Sequence, residues 1–309
     1  MNFTPDYSIV VPVYNSENTL EELCLRVEET FNKMNSTFEI ILVNDMSTDG
    51  SWWKTKSLKE KYGERLLGIN LRKNFGQHKA LLCGFQFAKG KYIVTIDDDL
   101  QFFPEDISLL IDRAKSTSAD LVYGTYADER QHSSVRKWGS NFVGFMFEKF
   151  GNTTGQGSSF KVVHQSVIDK IKDYNHSFTF VDEILSWHTT KIEWVPVRHA
   201  VRKEGSSGYS VPKLTLLSLN LILSYTTIPL RFMTWFGLIS FLISLVLVGV
   251  FVYQKVVYGS PLGFTALIVS IFMSSGLILF SLGIIGEYLN RLFALQHRKP
   301  PYQIQEILR

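Results

Sequence analysis

The stretch Tyr92-Ile93-Val94-Thr95-Ile96-Asp97-Asp98-Asp99-Leu100-Gln101 sets an apolar, β-branched run directly against three carboxylates. The run reads as a buried strand and the acids as its end. Open α/β sheets place their ligand crevice at the carboxyl ends of strands. Hard oxygen ligands clustered there suit Mg2+ or Mn2+ bridging a diphosphate, and so a phosphorylated substrate. The alternative for such a cluster is a solvated loop or a helix cap, so its neighbours decide.

Outward from it, residues 8–13 and 38–43 are further β-branched runs, the second followed by Asn44 and Asp45. Between them, residues 19–34 carry Leu20, Leu23, Val27 and Phe31 at helical spacing, with acids early. A third apolar run, 66–71, precedes a helix over 73–88 that ends near Gly90. Strands alternating with helices predict an α/β fold with a mostly parallel sheet covered on both faces. After 121–124 the periodicity is less regular; 151–159 reads as a loop, and Phe160, Val162, Val163 and Val167 resume the apolar pattern.

A chain of 309 residues accommodates one large domain and an appendage. Residues 232–254 and 262–286 form uncharged stretches of 23 and 25 residues, each long enough at about 1.5 Å per residue to cross a core of about 30 Å. A connector with Lys255, Tyr258, Gly259 and Pro261 makes them a two-helix transmembrane hairpin. Arg231, Arg291, Arg298, Lys299 and Arg309 flank the hairpin against Lys255 alone in the connector, which places both ends in the cytoplasm. The apolar segment at 7–13 is too short for a signal sequence. The expected divisions are a catalytic domain over 1–212, an interfacial helix over 213–230, the hairpin within 231–288 and a cytosolic tail over 289–309. A net charge of +3 without a dense basic block argues against nucleic acid. Cys24 and Cys83 lack metal-ligand spacing and read as free thiols.

Four motifs occur in order: Val10-Val11-Pro12-Val13-Tyr14-Asn15, Val43-Asn44-Asp45, Ser47-Thr48-Asp49-Gly50 and Asp97 to Gln101. Together they resemble glycosyltransferase family 2, inverting enzymes with a GT-A, Rossmann-like fold. Asn74-Phe75-Gly76-Gln77-His78-Lys79-Ala80 and the two-span tail are similar, more narrowly, to the polyprenyl-phosphate glycosyltransferases, which include dolichyl-phosphate mannose synthases, bactoprenol glucosyltransferases and undecaprenyl-phosphate aminoarabinose transferases. The resemblance implies that Pro12, Tyr14, Asn15 and Asp45 line the nucleotide. It implies that Asp97 binds the nucleotide sugar and that Asp99 and Gln101 hold Mg2+ or Mn2+. Asp98 is expected to point away, because adjacent side chains at a strand end alternate. Asn44 stands where many relatives have an acid, and Gly208 where close relatives have Lys.

By the same resemblance, Arg130 and Arg136 receive the acceptor phosphate, a task suited to guanidinium forks. Arg202 and Ser207, with Gly205 and Tyr209, match a later motif beside the membrane. Ser158 to Lys161 occupy the place of a loop that shapes the sugar pocket, and His78, Asp182 and Glu183 read as surface or packing residues rather than as site residues. The implied activity is transfer of one sugar from a nucleotide-diphosphate sugar, with a uridine donor preferred, to undecaprenyl phosphate or another polyprenyl phosphate. An ionised lipid phosphate needs no general base. The implied setting is the cytoplasmic face of a bacterial inner membrane, with a homo-oligomer, a tetramer in relatives. The competing readings are a processive polysaccharide synthase, against which stands the absence of a Gln-x-x-Arg-Trp motif, and a non-catalytic membrane-tethered sugar-nucleotide binding protein.

Overall fold

The computed structural model describes residues 4–126, 158–172, 174, 180–200, 263–296 and 300–309, with isolated positions between 233 and 258. The predicted apolar runs become β1 (Tyr7–Val13), β2 (Phe38–Asn44), β3 (Leu66–Leu71) and β4 (Tyr92–Thr95). β1 pairs in parallel with β2 on one side and β4 on the other, and β2 with β3. β5 (Leu121–Tyr126), β6 (Lys161–His164), β7 (Ile192–Val197) and β8 (Ile304–Leu308) complete an eight-stranded sheet of order β7-β5-β6-β4-β1-β2-β3-β8. β6 runs antiparallel to β4 and β5, and β8 antiparallel to β3, so the sheet is mixed with a parallel centre.

Alternation along β1 divides the core in two. Ile9, Val11 and Val13 pack with Leu20, Leu23, Val27 and Phe31 of α1 (Leu20–Lys33) and with Ile107, Leu110 and Ile111 of α4 (Ile107–Thr117). Val10 faces the other way, where it joins Ile41, Val43 and Ile69 with Ala80 and Leu81 of α3 (Gln77–Phe85). The same core takes Val167 and Ile168 of α5 (Gln165–Ile171) and Ile184 of α6 (Val181–Ser186). α3 is shorter than the helix predicted over 73–88, because the chain reaches it through Gly76 at φ +90.

Several elements are additional to the sequence reading: α4, α6 and β7, and also α2 (Ser51–Tyr62) and β8. α2 buries Ser51, Thr55, Leu58 and Tyr62. β8 lies within the stretch expected to be a tail, yet it is a strand of the sheet, tied down where Trp52 Nε1 donates to Glu306 Oε2 at 3.2 Å and Lys56 pairs with Glu306 at 3.0 Å. The chain therefore divides into a unit made of Met1–Ser207 with Lys299–Arg309, and a second of Gly208–Arg298. In the second, Phe264–Gln296 is one helix of 33 residues, α7, which runs past the predicted span end at Gly286. Among the described residues, no helix is long and apolar enough to cross a membrane. About half of the predicted first span, and the whole interfacial segment, lie outside the described residues.

Gly84 is the point of closest approach between α3 and the sheet. A Cβ there would press into Val10 Cγ1 and lie 3.2 Å from Val43 Cγ2, both β-branched and buried. Gly84→Ala is expected to destabilise the domain by about 1–3 kcal/mol through overpacking, read as a lowered urea midpoint with an unchanged slope.

Candidate active site

The crevice opens at the carboxyl ends of β1 and β4, where the sheet order reverses. Their pairing ends at Val10↔Thr95, and Ile96 N still reaches Val10 O at 3.4 Å. The next residue of β1 whose N–H would face β4 is Pro12, which has none. β4 is thus released, and Asp97, Asp98 and Asp99 leave the sheet as a turn. Three non-glycine residues with positive φ stand on the turns that follow β1, β2 and β4: Asn15 (+54), Met46 (+55) and Leu100 (+58). Such conformations cost of order 1–3 kcal/mol each and concentrate at functional sites.

The structure brings Asp97, Asp99 and Gln101 together on one turn. Asp97 Oδ1 accepts from Gln77 Nε2 at 2.5 Å, and Ser159 also bonds its carboxyl group. Burial, reinforced by the negative charges of Asp99 and Asp98, pushes Asp97 up to about 7 against the Ser159 hydrogen bond. Asp99 Oδ1 accepts from Gln101 N at 3.1 Å. Among the described residues, no three His, Cys, Asp or Glu side chains form a ready metal cage. The donor set nevertheless fits a divalent cation that keeps oxygens from its substrate, because it offers hard carboxylate oxygens on one turn.

Asp98 turns its carboxylate to the loop after β1, whereas Asp97 turns its own to Gln77. Asp98 Oδ2 accepts from Tyr14 N at 2.8 Å and Ser16 Oγ at 2.5 Å, and its carbonyl accepts from Thr19 Oγ1 at 2.5 Å.

The residues expected along the nucleotide divide by exposure. Tyr14 is 49% exposed at the crevice, whereas Pro12 is buried within β1 and shapes the opening instead. Asn15 is exposed, but its Oδ1 accepts from Thr48 N at 2.8 Å and its N–H donates to Ser47 Oγ at 3.0 Å. Asn44 continues that chain, accepting from Ser47 Oγ and donating to Asn70 Oδ1 at 2.7 Å. Asp45 is buried, and its two oxygens accept from Phe75 N and Gly76 N, each at 2.7 Å. Burial raises the Asp45 pKa against those hydrogen bonds. It anchors the loop that delivers Gln77 to Asp97.

Behind the acids lies a cluster that the sequence did not single out as a unit. Lys161, 1% exposed, pairs with Asp182 and places its ammonium 5.5 Å from the Tyr123 ring centroid. His78 Nδ1 accepts from Val181 N at 3.4 Å and its ring packs on Phe180. Burial drives His78 down to about 4, so its imidazole is neutral. Glu183, also buried, accepts from Trp187 Nε1 at 3.2 Å.

A second staple follows β7. Arg198 donates through N, Nε and Nη2 to Asp106, Ala200 N donates to Gln101 O at 2.9 Å, and Phe102 bridges His199. Residues 198–200, which follow β7, are thereby fixed beside the Asp97–Gln101 turn. Arg130, Arg136, Arg202 and Ser207 themselves lie outside the described residues.

Comparison with known proteins agrees with this arrangement. Residues 8–172 match the family described as "Glycosyl transferase family 2". An undecaprenyl-phosphate 4-deoxy-4-formamido-L-arabinose transferase of Pseudomonas aeruginosa is 32% identical over 98% of this chain and 90% of its own. The protein of the same name from Edwardsiella ictaluri is 30% identical over 98% and 94%. Among solved structures, glucosyl-3-phosphoglycerate synthase from Mycobacterium tuberculosis, in complex with Mn2+, uridine-diphosphate-glucose and phosphoglyceric acid, superposes with a TM-score of 0.50. It covers 71% of this chain and 78% of its own at 18% identity, a likeness of fold. With a GT-A sheet, its acids at the reversal of strand order and relatives matched along nearly its whole length, the chain belongs to glycosyl transferase family 2.

Proposed function

We propose that this protein transfers one sugar from a uridine-diphosphate sugar to undecaprenyl phosphate, with inversion, at the cytoplasmic face of the inner membrane. The observation that carries the reading is the turn of Asp97, Asp99 and Gln101 at the reversal point of the sheet, in a chain similar over 98% of its length to undecaprenyl-phosphate transferases. Asp99 and Gln101 would hold Mg2+ or Mn2+, which would neutralise charge developing on the leaving diphosphate. Asp97, steadied by Gln77 and Ser159, faces the donor. Tyr14 provides an exposed aromatic wall for the base. An acceptor phosphate oxygen, already ionised, attacks the anomeric carbon from the face opposite the diphosphate. The bond from that carbon to the diphosphate oxygen breaks and its electron pair leaves with the nucleotide. Arg130, Arg136 and Arg202 are assigned to the acceptor phosphate.

Membrane anchoring is part of the same proposal. Large apolar side chains of the second unit lie open, among them Trp235 at 66%, Val256 at 79% and Leu279 at 69%. Exposed apolar surface of that extent calls for lipid or for other copies of the chain, and a tetramer is the assembly we propose. Two spans, over 232–254 and 262–286, return the chain to its starting side. Membership of β8 in the catalytic sheet supports this, since residues on both flanks of the second unit then share one compartment.

Two experiments check this reading. Undecaprenyl phosphate in detergent with Mg2+ or Mn2+ is incubated with a panel of nucleotide sugars that includes UDP-4-deoxy-4-formamido-L-arabinose. Mass spectrometry should show one monoglycosylated lipid with wild type and a loss of about 100-fold or more with Asp99→Asn, on the scale of a removed charge-stabilising group. Activity retained in Asp99→Asn would end the metal assignment, and a ladder of longer products would favour a processive synthase. For topology, Cys24 and Cys83 are buried with thiols pushed up to about 12, so they give little background. Tyr258→Cys should react with an impermeant maleimide in intact cells and Arg309→Cys only after lysis; the reverse pattern would invert the proposed orientation.

A further inference from the structure

We infer that Asp98 is a positioning residue that clamps the nucleoside wall of the crevice to its metal wall, an assignment that rests on the donor-binding reading above. The sheet itself creates the need. In β1, Val10, Pro12 and Tyr14 are the alternate positions that face β4. Val10 still serves the ladder through Ile96, Pro12 has no N–H, and Tyr14 keeps an N–H for which β4 has no partner left. Asp98 Oδ2 takes that N–H at 2.8 Å and, two residues on, the Ser16 hydroxyl at 2.5 Å. One carboxylate oxygen thus replaces the missing rungs of the ladder across the open crevice.

The segment so held is under strain, and its remaining bonds run to the loop after β2, to Ser51 at the start of α2 and to the first turn of α1. Asn15, between the two donors, sits at φ +54, a conformation kept only where the surroundings over-determine it. Its own bonds, to Ser47 and Thr48, run toward β2 and away from the metal turn. From the β4 side, the Asp98 carboxylate and its carbonyl bond from Thr19 Oγ1 fasten the segment. Asp97 and Asp99, on either side of Asp98 in the chain, carry the donor and cation assignments. Moving the Tyr14–Ser16 segment therefore changes the distance between the surface for the base and the surface for the diphosphate. A donor bound at both ends senses that distance, whereas a cation bound at one end does not.

The test uses the full chain in detergent, with UDP and GDP as probes titrated calorimetrically in the presence of Mn2+, and Mn2+ titrated alone. Asp98→Ala is expected to weaken nucleotide binding about tenfold, the loss associated with hydrogen bonds to a charged group. It should raise donor KM more than it lowers kcat and leave Mn2+ affinity within about twofold, because cation ligation does not pass through Asp98. Asp98→Asn, whose amide oxygen can accept from both donors, should recover most of the loss. Ser16→Ala should weaken binding by a smaller factor and add nothing to Asp98→Ala, the signature of two groups acting through one contact. Should Asp98→Ala fail to fold, Ser16→Ala and Asp98→Asn carry the same comparison. Wild-type nucleotide affinity in Asp98→Ala would overturn the inference. So would a loss confined to Mn2+, which would make Asp98 a ligand, or an equal loss in Asp98→Asn. If wild type binds neither UDP nor GDP, the donor-binding reading falls and the clamp with it. Nucleotide binding that is unaltered in all three variants removes the clamp alone.

Discussion

The crevice depends on one absent hydrogen-bond donor. A proline in a central strand is tolerated only where no neighbour needs its N–H, and in β1 that condition is met because β4 stops pairing at Thr95. Relation of cause runs both ways: with nothing to donate at Pro12, β4 has no rung to continue on, and its chain turns out carrying Asp97, Asp98 and Asp99. On the opposite side β1 stays paired with β2 through Val13↔Asn44, so only one seam of the sheet opens. The opening lies at the reversal of strand order, where a ligand finds strand ends on both sides.

Having opened the seam, the fold fills it with negative charge. Burial and the two adjacent acids push Asp97 up, and the nearest buried cation, Lys161, is already paired with Asp182. A lysine so committed gains more by staying with its partner than by turning to a second acid, since breaking a buried pair leaves a charge uncompensated. Neutral His78 adds no positive charge. Among the described residues the turn thus offers carboxylates rather than cations to an anionic diphosphate, a setting in which a divalent cation between them would favour binding under the proposed reading.

The parallel centre was legible because it obeys simple periods. Ile9, Val11 and Val13 against Val10, and Leu20, Leu23, Val27 and Phe31 at helical spacing, are local patterns that burial then uses. α2 was not legible, for its buried face is Ser51, Thr55, Leu58 and Tyr62, and small polar residues fit there because Gly68 of β3 leaves room beside Thr55. The use of Asp98 was not legible either, because its partners Tyr14 and Ser16 stand 84 and 82 positions earlier in the chain. A buried Lys161 makes sense only beside Asp182, twenty-one positions later in the chain, and no local pattern announces such a pair. Asp45 lay between these cases. Its importance was evident from the motif, but its use, with both oxygens on the Phe75–Gly76 backbone, belongs to the tertiary structure.

β8 adds a constraint that reaches beyond the sheet. It is short and carries Gln305 and Glu306 in its middle, so it has little strand character of its own; pairing with β3 and the contacts of Glu306 to Trp52 and Lys56 make it one. Because it follows the second unit in the chain while the other seven strands precede it, the chain must come back to where it began. Any membrane crossings between Gly208 and Arg298 are then even in number. A third span formed by residues 213–230 would strand β8 on the wrong side and leave the β3 edge unpaired. The pairing of β8 with β3 at four positions thus supports the proposed two-span reading over a three-span one, on grounds independent of charge bias and hydropathy.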